Sequence, residues 1–177
     1  MEQSIKIRKM KLTDLESVAR VYNEVFDSTY ISFGELSAGL AVAPGMQSEQ
    51  AAILFKEELA ELLHKSSSGL FVAIDKDIVV GFAIASLRAA EAGHLECWLD
   101  DLGVSQNHRG RKIGRNLIEN VLNWGNQEGV KYFLLESGLH NKAHRLFVSM
   151  GFQPLSVVFC QMAVTQINPE IAPDTKS

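Results

Sequence analysis

Asp101-Leu102-Gly103-Val104-Ser105-Gln106-Asn107-His108-Arg109-Gly110-Arg111-Lys112-Ile113-Gly114-Arg115 joins a run of strand character to a run of helical character. Downstream of it, Ile113, Leu117, Ile118, Val121, Leu122 and Trp124 recur at helical spacing, which predicts a helix from Lys112 to about Gln127. The first N–H groups of a helix have no partner within it, and together with the positive end of the helix dipole they attract an anion. Gly110 and Gly114 let phosphate oxygens approach the main chain, and Arg109, Arg111, Lys112 and Arg115 add positive charge. The stretch therefore reads as a strand, a phosphate-holding loop and a helix.

Other phosphate loops are excluded by spacing. A nucleotide-hydrolysing P-loop ends in Gly-Lys-Ser/Thr, and the dinucleotide fingerprint needs three glycines at fixed offsets; both are absent here. A nucleic-acid surface wants a basic face on the whole domain, whereas the 177-residue chain carries a net charge of -4. Basic charge is local to the loop, which suits a small phosphorylated ligand.

Working outward, Ile5 to Met10 is read as a first strand, and Thr13-Asp14-Leu15-Glu16 as a capping box opening a helix to about Tyr30. The segment 31–46, with Gly34, Gly39, Pro44 and Gly45, is read as a loop. A helix is expected from about Ser48 to His64, with Ala51, Leu54, Phe55, Leu59, Leu62 and Leu63 on a broad apolar face. Strands are expected over Leu70 to Ile74 and Ile78 to Leu87, joined by a turn at Asp75-Lys76-Asp77. Leu95 to Val104 feeds the loop, and Lys131 to Glu136 follows the long helix. A short helix from about Lys142 to Met150 stops at Gly151, and Phe152 to Val164 is expected to close the sheet.

The run Arg109-Gly110-Arg111-Lys112-Ile113-Gly114 after Asp101-Leu102-Gly103-Val104 resembles the acetyl-CoA signature of the GNAT N-acetyltransferase superfamily, Arg/Gln-x-x-Gly-x-Gly/Ala. Lys112 stands at the first glycine of that pattern, which is tolerable if a lysine in helical conformation still offers its N–H. A second stretch, Asn141-Lys142-Ala143-His144-Arg145-Leu146-Phe147-Val148-Ser149-Met150-Gly151-Phe152, is similar to the family's Asn-x-x-Ala-x-x-Phe/Leu-Tyr-x-x-x-Gly-Phe helix and turn. The resemblance covers the chain to about Val164. It implies an α/β fold of the α+β kind, with a mixed, mostly antiparallel twisted sheet of six to seven strands flanked by about four helices. It implies a single domain over 1–165, and 166–177 is expected to be a mobile tail.

The implied activity is transfer of acetyl from acetyl-CoA to a primary amine by direct attack on the thioester, with no metal. An amine near pKa 10 must first lose a proton, and a carboxylate near the thioester is the usual base. By period two, Glu96, Trp98, Asp100 and Leu102 share one face of the strand and Cys97, Leu99 and Asp101 the other. Asp100 is the first candidate. Asp101 is the rival, because a bulge common in the family would shift the faces. Glu96 is the third, and the acids could instead only hold a cationic substrate while water carries the proton.

The resemblance also implies the Leu102 N–H as oxyanion donor, and Leu102, Gly103 and Val104 as a strand edge for the pantetheine arm. The cofactor contacts would continue through Arg109 to Arg115, Ile113 included, and on to Asn141, Ala143 and Phe147. Phe147 stands where the family usually has a tyrosine that protonates the leaving thiolate; His140 and His144 are nearby substitutes. Tyr30, Glu96, Trp98 and Glu136 are the expected acceptor-side residues. Phe147 also leaves open a non-catalytic acyl-CoA-binding sensor or interaction module.

With 46% hydrophobic residues the chain can bury one sizeable core. Its apolar runs are strand-length, so neither a membrane span nor a signal peptide is expected. Cys97 and Cys160 are far apart and suit reduced thiols in a cytoplasmic protein. The partners expected are acetyl-CoA and an amine, with a homodimer possible and no nucleic acid or membrane.

Overall fold

The computed structural model describes residues 5–26, 32–43, 46–137 and 141–155. Five strands form a mixed sheet in the order β1-β4-β5-β6-β7: β1 (Lys6–Lys9), β4 (Ser68–Asp75), β5 (Ile78–Ala89), β6 (Leu95–Val104) and β7 (Tyr132–Leu135). All neighbours run antiparallel except β6 and β7, which are parallel because the long helix α4 (Ile113–Gln127) crosses between them. β4 turns into β5 through Lys76 (φ 48°) and Asp77 (φ 67°), the two left-handed positions a tight hairpin requires.

Both faces of the sheet are covered, so the central strands read as nearly continuous apolar runs rather than alternating ones. On one face, α1 (Leu15–Val25) and α3 (Ala51–Leu62) bring Val18, Tyr22, Phe55 and Leu59 onto Leu70, Val72, Phe82 and Ile84. On the other, α4 and α5 (His144–Ser149) bring Ile113, Leu117, Ile118, Val121, Trp124 and Phe147 onto Phe71, Ala73, Ala83, Ala85 and Leu99. Gly103 is bare because Phe82 lies over it: a Cβ there would sit 2.5 Å from the ring.

The register of β5 and β6 creates the feature on which the site depends. Ile84 faces Asp101 and Ala85 faces Leu99, so Asp100 is an extra residue in β6, a β-bulge. Below the bulge, β6 pairs with β7 from Glu96 to Leu99. Above it, residues 101–104 have no strand on that side among the described residues.

Several sequence expectations are corrected. The helix α1 stops at Val25 and does not reach Tyr30: Phe26 turns away (φ -49°, ψ 126°), and the Glu24 carbonyl accepts from Gln106 Nε2 at 3.3 Å. Thr13 and Glu16 form no capping box. Asp14 does the work, accepting from the Lys11 N–H (2.8 Å) and from both Arg8 nitrogens (2.6 and 2.9 Å), with Leu12–Asp14 a 3-10 turn. The segment read as a loop over 31–46 holds the helix α2 (Phe33–Ser37), capped by Ser32, whose Oγ accepts from the Glu35 N–H at 3.0 Å. The hairpin strands β2 (Ala41–Ala43) and β3 (Met46–Gln47) follow it. Residues 152–155 are not strand; the rest of the expected closing strand and the tail lie outside the described residues, as do Tyr30, His140 and Cys160.

Candidate active site

Because Asp100 is the bulged residue, the face pattern read by strict alternation is wrong above it. Ile84, the partner of Asp101, belongs to the core under α1 and α3, whereas Leu99, Leu102 and Val104 pack on the α4 side. Asp101 therefore joins Glu96, Trp98 and Asp100 on the α1–α3 face, and Leu102 moves to the face of Cys97 and Leu99. Cys97 is buried there, and burial pushes its thiol up to about 11.

The two adjacent aspartates have different surroundings. Asp100 pairs with Arg88, whose guanidinium also lies 4.5 Å over the Trp98 ring. Burial raises the Asp100 carboxyl, and the Ser86 hydroxyl and Arg88 work against that rise, while Glu136 adds to it. Asp101 has no cation against it among the described residues. Burial, then the charges of Glu35, Glu58 and Asp100, push its carboxyl up to about 7, and the Leu102 N–H offsets part of that rise. Glu58 on α3 is itself raised by burial and by Asp100. Tyr22 completes the wall: its hydroxyl donates to Glu35 Oε1 at 3.4 Å, and burial with the Glu35 and Asp101 charges pushes its pKa far above the ordinary value.

Glu96 is occupied on both oxygens, accepting from Trp98 Nε1 (3.1 Å) and meeting His94 Nε2 (3.2 Å). Trp98 is only partly buried and is not a core residue. Glu136 follows β7, exposed and within electrostatic reach of Asp100.

At the other end of β6, the loop turns through the 3-10 segment Gln106–His108 into α4. The first bond inside that helix runs from the Asn116 N–H to the Lys112 carbonyl (3.0 Å), and no side chain caps the start. The N–H groups of Ile113, Gly114 and Arg115 thus open toward the loop without a partner among the described residues. Gly110 (φ 78°) is left-handed with open space around it, so the main chain is bare where an oxyanion would approach. This exposed donor set fits a pyrophosphate.

One expectation about the loop changes, and two of its residues carry contacts the local sequence does not show. Lys112 is not helical but left-handed (φ 61°, ψ 12°), the conformation that glycine adopts freely and other residues at some cost. A Cβ at Gly114 would lie 3.3 Å from Leu146 of α5, so packing also favours a small residue there. Arg111 is not a free cation, since it pairs with Asp75 at 2.6 Å. Arg109 is tied by Nε to the Val104 carbonyl (3.2 Å), and Arg115 reaches Ser149 Oγ (2.8 Å).

Asn141 Oδ1 accepts from the Ala143 N–H at 2.8 Å and so organises the start of α5. Phe147, on that helix, is buried edge-to-face against Phe152. Sequence reasoning missed Tyr22, Glu35, Glu58 and Arg88. Of these only Glu35 left a signal, the Ser32-x-x-Glu35 capping pattern; the others come close to Asp100 or Asp101 only through packing.

Strand β6 thus carries a bulge at Asp100, extends beyond the end of its parallel ladder with β7, and leads through the loop into the crossover helix α4. The Acetyltransferase (GNAT) family model matches residues 33–152, and the chain belongs to that family. It is 33% identical over 103 residues to N-acetyltransferase 8B of Rattus norvegicus, covering 56% of this chain and 46% of that protein. It is 30% identical over 119 residues to N-acetyltransferase 8F1 of the same species, covering 64% and 54%. The chain thus spans about half the length of the curated relatives it matches. Among solved structures, an aminoglycoside N-acetyltransferase, AAC(6')-Iy, in complex with CoA, superposes with a TM-score of 0.72 at 18% identity over 93% of this chain and 97% of that one. A Trypanosoma brucei acetyltransferase does so with a TM-score of 0.66 at 15% identity, over 90% and 100%. These likenesses bear on the fold. Among the described residues no helix is long and apolar enough to cross a membrane.

Proposed function

We propose that this chain transfers acetyl from acetyl-CoA to a primary amine, with Asp101 as the general base. The observation that carries this reading is the Asp101 carboxyl just past the end of the β6–β7 ladder, with no cation against it among the described residues and raised to about 7. A base is most effective when its pKa lies near the working pH, and Asp101 meets that condition. Asp100, held by Arg88, is the weaker candidate.

In this scheme the CoA pyrophosphate lies on the N–H groups of Ile113, Gly114 and Arg115, with Arg109 and Lys112 beside it. The pantetheine arm runs along Leu102 to Val104, where β6 extends beyond its pairing with β7. The amine nitrogen attacks the carbonyl carbon and loses its proton to Asp101, and the C–S bond breaks to release the thiolate; the Leu102 N–H, which bonds the Asp101 carboxylate here, turns to the developing oxyanion only as Asp101 takes up that proton. Glu35, Glu58 and Asp100 make the acceptor side negative, which suits a cationic amine. Phe147 cannot protonate the thiolate, a tolerable leaving group near neutral pH.

Phe147 is also the feature that favours a second reading, a non-catalytic acyl-CoA sensor. Thiol release with a panel of polyamines, aminoglycosides and lysine or N-terminal peptides separates the two, alongside acetyl-CoA calorimetry. Binding with release supports the transferase, binding without release the sensor, and absence of binding removes both.

A further inference from the structure

Two carboxylates lie against the anion loop, where a negative charge opposes the ligand the loop is read to hold. Glu24, in the last turn of α1, accepts from the Ser105 hydroxyl (2.9 Å) and from the Gln106 N–H (2.6 Å), and its own carbonyl takes Gln106 Nε2. Ser105 is buried, so this contact is part of the built interior. On the other side, Asp75 from the β4–β5 turn holds Arg111 at 2.6 Å and stands 3.8 Å from His108 Nε2. On either side of the anchored Arg111 the chain adopts a left-handed residue, Gly110 and Lys112, a shape local preference alone does not hold. The partners are 82 and 36 residues apart in sequence.

We infer that Glu24 and Asp75 are positioning residues that clamp the anion loop from opposite sides and hold the helix-start N–H groups open for the CoA phosphates. The inference rests on the reading of the loop as a phosphate cradle. The same last turn of α1 carries Tyr22, bonded to Glu35, and Asn23, which accepts from Gln47 Nε2 at 3.0 Å. Glu24 therefore anchors the cofactor loop to the helix that also braces the acceptor wall.

Charge and positioning predict opposite signs, which makes the clamp testable. Removing a carboxylate beside an anion site should tighten CoA binding if only long-range charge matters. Loss of the clamp should weaken it. The experiment is calorimetry of CoA with wild type, Glu24→Ala and Asp75→Ala, each checked for native circular dichroism and thermal unfolding, with Asp75→Glu as the conservative control. The clamp predicts about tenfold weaker binding for each neutral variant, recovery in Asp75→Glu, and a steady-state loss that falls on KM for acetyl-CoA more than on kcat. Equal or tighter binding in either neutral variant overturns the clamp at that residue. A wild-type chain that does not bind CoA overturns instead the phosphate reading beneath it, so the two failures are distinguishable.

Discussion

The anion loop and the carboxylate wall around Asp101 meet on one strand, yet they are assembled over very different distances along the chain. The loop is a continuous run, residues 101–115, whose charge, glycines and helix start all lie within reach of one another. The wall draws Tyr22 from α1, Glu35 from α2, Glu58 from α3 and Asp100 with Asp101 from β6. The donors of the loop are main-chain groups, so a residue such as left-handed Lys112 can stand there at some conformational cost. The wall consists of like charges brought together by packing, so its chemistry depends on each neighbour.

The comparison is broken most directly at the two adjacent aspartates. Asp101→Asn is expected to lower kcat by about a hundredfold or more, while Asp100→Asn lowers it by less than about tenfold. Steady-state rates with any accepted amine measure this, and equal losses would return the base to Asp100 or to both residues together.

The next effect is on stability. Asp101 binds its proton more tightly folded, at about 7, than at its ordinary 3.8. Its contribution is therefore complete below pH ~4 and is lost as pH rises toward ~7, by an amount on the order of 2 kcal/mol after solvent screening. Denaturant unfolding between pH 4 and 8 should show that slope flattened in Asp101→Asn. The catalytic profile runs the other way, kcat/KM rising with pH through about 7 as the carboxylate forms; a flat profile would remove Asp101 as base.

Arg109→Ala sharpens the loop side. Among the described residues its guanidinium is held through the Val104 carbonyl, so its loss should weaken CoA binding about tenfold by calorimetry and leave the amine KM unchanged. The smallest expected effect is at Lys112→Gly, which relieves a left-handed residue and should stabilise the fold by about 0.5–1 kcal/mol in denaturant melts with CoA affinity retained. Destabilisation there would mean that the lysine side chain carries an interaction the fold needs.

The long helix α4 and the hairpin at Lys76 and Asp77 were legible because periodicity and turn chemistry act within a few residues. The short helix α2 was obscured by the glycines and proline around it, although Ser32 and Glu35 spelled its cap. The faces of β6 were misread because alternation assumes an unbroken ladder, and one inserted residue at Asp100 reverses every side chain beyond it. Nothing in the local sequence reveals that Asp75 pairs with Arg111.

By itself the sequence determined the strand–loop–helix unit of residues 95–127 and, through it, the family, because those features arise from backbone hydrogen bonding and side-chain spacing within a single supersecondary unit. Only the tertiary structure decided which aspartate is held by Arg88, which acids surround its neighbour and which carboxylates lie against the loop. Those outcomes depend on burial and on charges separated by tens of residues, and neither has a local signature.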